Sequence, residues 1–160
     1  MQNKITREVD ITMKRRPIII DCDPGHDDAM AILWALASEE LEIKAITTVA
    51  GNQTIEKVTN NAIRVLTKAK KYDIPVAKGA EAPLVRKLVV GGELVHGDSG
   101  LEGPVLPENG FEVSELRALE LLVKVLEESE EKVTIVGIGP LTNVAQLLIT
   151  RPDLMEKIEQ

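Results

Sequence analysis

The stretch from Pro17 to Ala37, PIIIDCDPGHDDAMAILWALA, decides the fold. Ile18, Ile19 and Ile20 form a short β-branched run that reads as a buried strand. Pro24-Gly25 is a turn. Residues 27–37, rich in Ala and Leu with two acids in the first turn, read as a helix. A buried strand, a tight acidic turn and a helix make the opening of an α/β unit.

The alternation continues downstream. Residues 43–49 (IKAITTV) read as a second strand. From Thr54 to about Lys70, Ile55, Val58, Ala62, Val65, Leu66 and Ala69 follow helical spacing. Residues 75–78 give a third strand. Residues 80–113 carry much Gly and Pro and read as a long loop, with room for a short helix; such a loop in a compact domain usually serves function. Ser114 is placed to cap a helix over 115–128, and residues 133–138 (VTIVGI) form another buried strand. Gly139-Pro140 leads into a helix over 141–150, which Pro152 stops. The order β-α-β-α-β-loop-α-β-α implies right-handed crossovers and a doubly wound, mainly parallel sheet with helices on both faces. Trp34 is expected in the core of the first helix. A further strand is expected where the chain ends, which suggests a truncated fold.

Composition agrees. In 160 residues, 44% are hydrophobic and only 2% aromatic, so the core is aliphatic, as suits buried parallel strands. A net charge of −7 argues against a nucleic-acid surface. The lone Cys22 excludes an internal disulfide and fits a reducing cytoplasm. No apolar run reaches the roughly 18 residues of a membrane span. Residues 1–16 are polar, lack a signal-peptide core and read as a loose extension, with Met13 an alternative start. Residues 17–160 read as part of a single domain.

The chemistry concentrates in Asp21-Cys22-Asp23-Pro24-Gly25-His26-Asp27-Asp28. Four carboxylates in eight residues lie at the C-terminal end of the first strand, the edge where open α/β sheets bind ligands. Acids this close repel one another, and a proton or a bound cation relieves the repulsion. Helix-dipole decoration accounts for Asp27 and Asp28 but not for Asp21 and Asp23. Calcium, with its six to eight oxygen ligands, suits such a set better than magnesium. Cys22 reads as a small packed residue, His26 as an exposed loop histidine, and Thr142-Asn143 as turn and helix-start chemistry near the site.

The segment Asp21–Ala29 resembles the signature of the inosine–uridine-preferring nucleoside hydrolases. Four further stretches fit that family in order: Ile46–Asn52, Pro83–Arg86, His96–Gly100 and Gly139–Asn143. The resemblance implies a Rossmann-like fold of which this chain is the N-terminal half, and hydrolysis of the N-glycosidic bond of purine or pyrimidine ribonucleosides, as in nucleoside salvage and catabolism. It implies one Ca2+ held by Asp23, Asp28 and the backbone carbonyl of Ile138, where the family usually has Thr. Asp23 is implied as the proton acceptor for the attacking water. Asp27 and Asn52 are implied at the ribose, His96 near the nucleoside, and Asp21 as a support behind the metal. The family's remaining calcium aspartate, further ribose contacts and a histidine near the leaving base come from its C-terminal half.

Two alternatives stand beside this reading. One is a non-catalytic fragment or subunit that works only with a complementary C-terminal half. The other is an aspartyl-nucleophile phosphatase, suggested by Asp21-Cys22-Asp23 after a strand but opposed by Gly25, where such enzymes want Thr or Val. The expected partners are a ribonucleoside and, through an exposed sheet edge, further copies of the chain or the missing half.

Overall fold

The computed structural model describes residues 14–160. The expected extension 1–16 therefore lies, up to residue 13, outside the described residues. Strand β1 (Arg16–Cys22) is followed by α1 (His26–Ala37), β2 (Leu41–Thr48), α2 (Ile55–Lys68) and β3 (Val76–Lys78). After the long loop, which contains the one-turn helix α3 (Glu93–His96), come α4 (Ala118–Glu128), β4 (Thr134–Gly137) and α5 (Thr142–Thr150), then a 3-10 turn over Pro152–Lys157. The sheet order is β3-β2-β1-β4, with every pairing parallel. The expected alternation and sheet type are both present. Among the described residues, no helix is long and apolar enough to cross a membrane.

Two aliphatic layers sandwich the sheet, because successive strand residues point to opposite faces. Ile18, Ile20 and Ile46 pack with Ala29, Ile32, Ile63 and Leu66 of α1 and α2. Ile19, Ala45 and Ala77 pack with Leu122, Leu126 and Leu147 of α4 and α5. The central position of β1 explains its apolar run: every residue from Pro17 to Cys22 is buried. Its C-terminal end opens between the first turns of α1 and α5.

Two expectations need correction. Trp34 is 79% exposed rather than in the core. Helix α1 is apolar on nearly every side, so its core face cannot be told from composition; that face is Asp28, Ala29 and Ile32, and Trp34 lies on the opposite side. Helix α4 begins at Ala118, not Glu115. The Ser114 N–H donates to the Val76 carbonyl at 2.8 Å, which holds residue 114 against β3. The helix is instead capped by Arg117, whose N–H donates to the Glu120 carboxylate at 2.7 Å.

The long loop is tied to α2. Arg64 donates to the carbonyls of Leu106 and Pro107, both at 3.0 Å, and the Gly110 N–H donates to Thr67 Oγ1 at 3.0 Å. Leu101 joins the core beside α1 and α2. These ties bring residues 92–102 over the end of β1.

Candidate functional site

Asp21, the penultimate residue of β1, is fully buried. Its Oδ1 accepts hydrogen bonds from Thr47 Oγ1 at 2.5 Å and Asn143 Nδ2 at 2.7 Å. Its Oδ2 has no partner. Burial pushes its pKa up to about 6, against the pull of those two donors. Asn143, in the first turn of α5, also donates to the Thr48 carbonyl at 2.9 Å and accepts from the Ala80 N–H at 2.9 Å.

Asp23 follows β1 and is held by the turn after β2. Its Oδ2 accepts from the Asn52 N–H at 2.7 Å, and Asn52 Nδ2 donates to the Asp23 carbonyl at 3.0 Å. Burial raises its pKa to about 6, with help from the charges of Asp27 and Asp21. Two glycines make its space. A Cβ on Gly51 would overlap Asp23 Oδ2, and one on Gly139 would meet Asp23 Oδ1 at 2.8 Å. Side chains larger than hydrogen are excluded at both places.

Asp28 sits in the first turn of α1, where its Oδ2 accepts from the Gly25 N–H at 3.4 Å. Its Oδ1 is buried and unpartnered. Burial first, then the charge of Asp23, raises its pKa to about 6. The N–H groups of Ile138 and Gly139 donate to the Asp21 carbonyl at 2.9 and 3.3 Å, which lays this stretch of main chain beside Asp21 and Asp23. Cys22 is buried, and burial plus the three neighbouring carboxylates hold its thiol well above the usual range. It is a packed residue, as expected, and no thiolate nucleophile.

The remaining candidates form a rim. The Asp27 side chain is 80% exposed, and its Oδ1 lies 3.8 Å from His96 Nε2. His96 is buried over Gly25, where a Cβ would meet its Nε2 at 2.7 Å. His26 is half-buried rather than an exposed loop residue, because it bridges to the long loop. Its main-chain N–H donates to His96 Nδ1 at 3.3 Å, the two Nδ1 atoms are 2.9 Å apart, and its Nε2 lies 2.7 Å from the Glu102 carbonyl. Sequence reasoning missed this bridge, and also the part played by Thr47, Gly51 and Asn143. Asn143 lay within a recognised motif, but nothing local indicated that its amide reaches Asp21, 122 residues away in sequence.

As a cation site the cluster is a partial donor set. Among the described residues, no group of three or more His, Cys, Asp or Glu is arranged to hold a metal ion. Yet the buried, unpartnered Oδ1 of Asp28 beside a second buried carboxylate is the arrangement a cation would satisfy. The residues present therefore fit one side of a cation site. A cavity of about 670 Å³ opens elsewhere, at the other end of the strands, lined by Pro17, Glu42, Lys44, Pro75 and Leu121.

Comparison with known proteins gives consistent results. The family model described as inosine-uridine preferring nucleoside hydrolase matches residues 18–160. The pyrimidine-specific ribonucleoside hydrolase RihA of Photobacterium profundum is 57% identical over 144 residues, 90% of this chain and 46% of the relative. The protein of the same name from Escherichia coli O127:H6 is 58% identical over 142 residues, 89% of this chain and 45% of the relative. A plant nucleoside hydrolase superposes with a TM-score of 0.82 at 36% identity, covering 91% of this chain and 46% of its own. An inosine-guanosine nucleoside hydrolase superposes with a TM-score of 0.83 at 35% identity, covering 92% of this chain and 45% of its own. The chain thus spans about half the length of the relatives it matches.

Proposed function

The chain belongs to the inosine-uridine preferring nucleoside hydrolase family, and from that premise we propose that it carries the acidic half of a site that hydrolyses the N-glycosidic bond of ribonucleosides. The observation that carries this reading is the buried pair Asp23 and Asp28, both raised to about 6, with Asp28 Oδ1 unpartnered.

In this reading Asp23, Asp28 and the Ile138 carbonyl would hold a calcium ion, with Asp21 behind them. A calcium ion there would supply positive charge that makes water a better nucleophile near neutral pH and favours bound ribose hydroxyls. Asp23 takes the proton of the attacking water. The Asn52 hydrogen bonds fix the orientation of Asp23. Asp27, exposed at the rim, and Asn52 bind the ribose, and His96 sets the edge of the pocket beside Asp27. The carboxylates beneath the sugar stabilise the positive charge that develops at its anomeric carbon.

The relatives named pyrimidine-specific support a preference for uridine over inosine. The family match favours this chemistry over the aspartyl-phosphatase alternative. The alternative of a chain inactive alone is favoured by its span, about half the length of the relatives it matches. The test is ribose release from uridine and inosine by the 160-residue chain, with calcium and with chelator, beside Asp23→Ala. Calcium-dependent release that disappears in the variant supports a working site in this chain. Release only after addition of the relatives' C-terminal portion supports half a site. No release under either condition overturns the hydrolase reading.

A further inference from the structure

Two histidines at the rim of the acidic site form a hydrogen-bonded chain that, with both rings neutral, admits one placement of protons. His26 Nε2 lies 2.7 Å from the Glu102 carbonyl. A carbonyl oxygen only accepts, so Nε2 of His26 carries a proton. The other nitrogen of that neutral ring, Nδ1, is then a bare acceptor. It faces His96 Nδ1 at 2.9 Å. Two lone pairs do not share that distance, so the proton between the rings belongs to His96 Nδ1. The main-chain N–H of His26 also points at His96 Nδ1, but at 3.3 Å it is the longer of the two contacts. His96 Nε2 is thereby left without a proton.

The frame around this chain is closed. The Glu102 N–H donates to the His96 carbonyl at 2.9 Å, so the acceptor for His26 belongs to the same turn of backbone as His96. The Asp98 N–H donates to the Glu102 carboxylate at 2.9 Å, and Gly97, at φ +76°, lets the backbone double back between them. The His96 ring is buried against Gly25, where no side chain would fit. Its Nε2 lies 3.8 Å from Asp27 Oδ1, too far for a direct hydrogen bond. An imidazole lone pair and a carboxylate oxygen at that separation are two acceptors on one rim. They suit a ligand that brings hydrogen-bond donors, and the hydroxyls of a sugar are such donors.

We propose that His26 is a positioning residue that holds His96 in its Nδ1–H tautomer, so that His96 Nε2 meets the pocket as an acceptor for a ligand hydroxyl. That the ligand is a ribonucleoside rests on the function proposed above; the part played by His26 does not. Without the His26 ring, the only group facing His96 Nδ1 in this chain of contacts is the main-chain N–H of residue 26. A donor there makes Nδ1 the bare nitrogen and moves the proton to Nε2. One side chain thus decides whether the rim beside Asp27 accepts or donates a hydrogen bond.

The experiment reads the histidine ring nitrogens of the intact 160-residue chain by long-range proton–nitrogen correlation NMR at about pH 8, above the ordinary titration range of histidine. The method separates protonated from bare ring nitrogens and needs no turnover. The expected result is His26 as the Nε2–H form and His96 as the Nδ1–H form. His26→Ala keeps the main-chain N–H and should reverse His96 to the Nε2–H form. His26→Asn offers a side-chain oxygen in place of Nδ1 and should restore the Nδ1–H form. Circular dichroism checks that each variant folds. His96 in the Nε2–H form in the parent chain overturns the proposal whether or not the variants fold, and so does an unchanged tautomer in folded His26→Ala. Uridine is then added, and the His96 Nε2 signal should shift in the parent chain and not in His26→Ala. The stated tautomers with no response to uridine leave the positioning by His26 standing and count against the ribonucleoside reading, so the two failures are distinguishable.

Discussion

Asn143 uses its whole amide on the acidic site: two donations, to Asp21 and the Thr48 carbonyl, and one acceptance, from Ala80. All three links are buried or half-buried, so their loss leaves polar groups without water. Asn143→Leu is expected to cost roughly 2–4 kcal/mol in urea unfolding, because a buried acceptor and a half-buried donor are orphaned together. A loss below about 0.5 kcal/mol, the scale of an ordinary surface substitution, would count against the network. Gly51 makes a second case. Gly51→Ala drives a methyl into Asp23 Oδ2, so any calcium affinity measured by titration calorimetry should fall at least tenfold; unchanged affinity would remove Asp23 from the ligand set. The clustering of the four acids was legible, because carboxylates crowded after a buried strand have few structural explanations, whereas Asn52 was named through the family resemblance. Asn143, His26 and Gly51 were not, since their role lies in contacts between segments far apart in sequence.

Among the elements, α1 shows how composition and packing part company. Its apolar residues surround the helix, and only contact with the sheet selects Ala29 and Ile32 as its buried side. Ile32→Ala is expected to cost about 2–5 kcal/mol in unfolding experiments, as for other fully buried aliphatic residues. Trp34→Gln, at a position 79% exposed, should cost under about 0.5 kcal/mol. Equal losses would mean that the outward face of α1 is covered in solution. The starts of the helices divide the same way. The first turn of α1 was readable from its acids. The start of α4 was not, because Ser114 is drawn into a backbone bond with β3 that no local pattern encodes.

For the molecule as a whole, the acids set a pH dependence. Asp21, Asp23 and Asp28 have folded pKa values of about 6 against an ordinary 3.8. The folded chain therefore binds more protons than the unfolded chain between those values, and these groups make stability fall as pH rises from about 4 to about 6. Without a cation, the melting temperature should be higher at about pH 5 than at about pH 7. Calcium bound by the folded state should raise it more at about pH 7, where the ligands are ionised, than at about pH 5. Thermal unfolding in calcium and in chelator at both pH values measures this; no calcium effect at the higher pH would refute the cation site. The alternation of strands and helices, the parallel sheet, the aliphatic core and the acidic end of β1 followed from the sequence by itself, because they depend on local periodicity and on charges adjacent in the chain. The sheet order with β1 between β2 and β4, the face α1 buries and the Asn143 and His26 bridges were decided only in the tertiary structure. Each depends on which distant segments meet, and burial and hydrogen-bond satisfaction settle that for the chain as a whole.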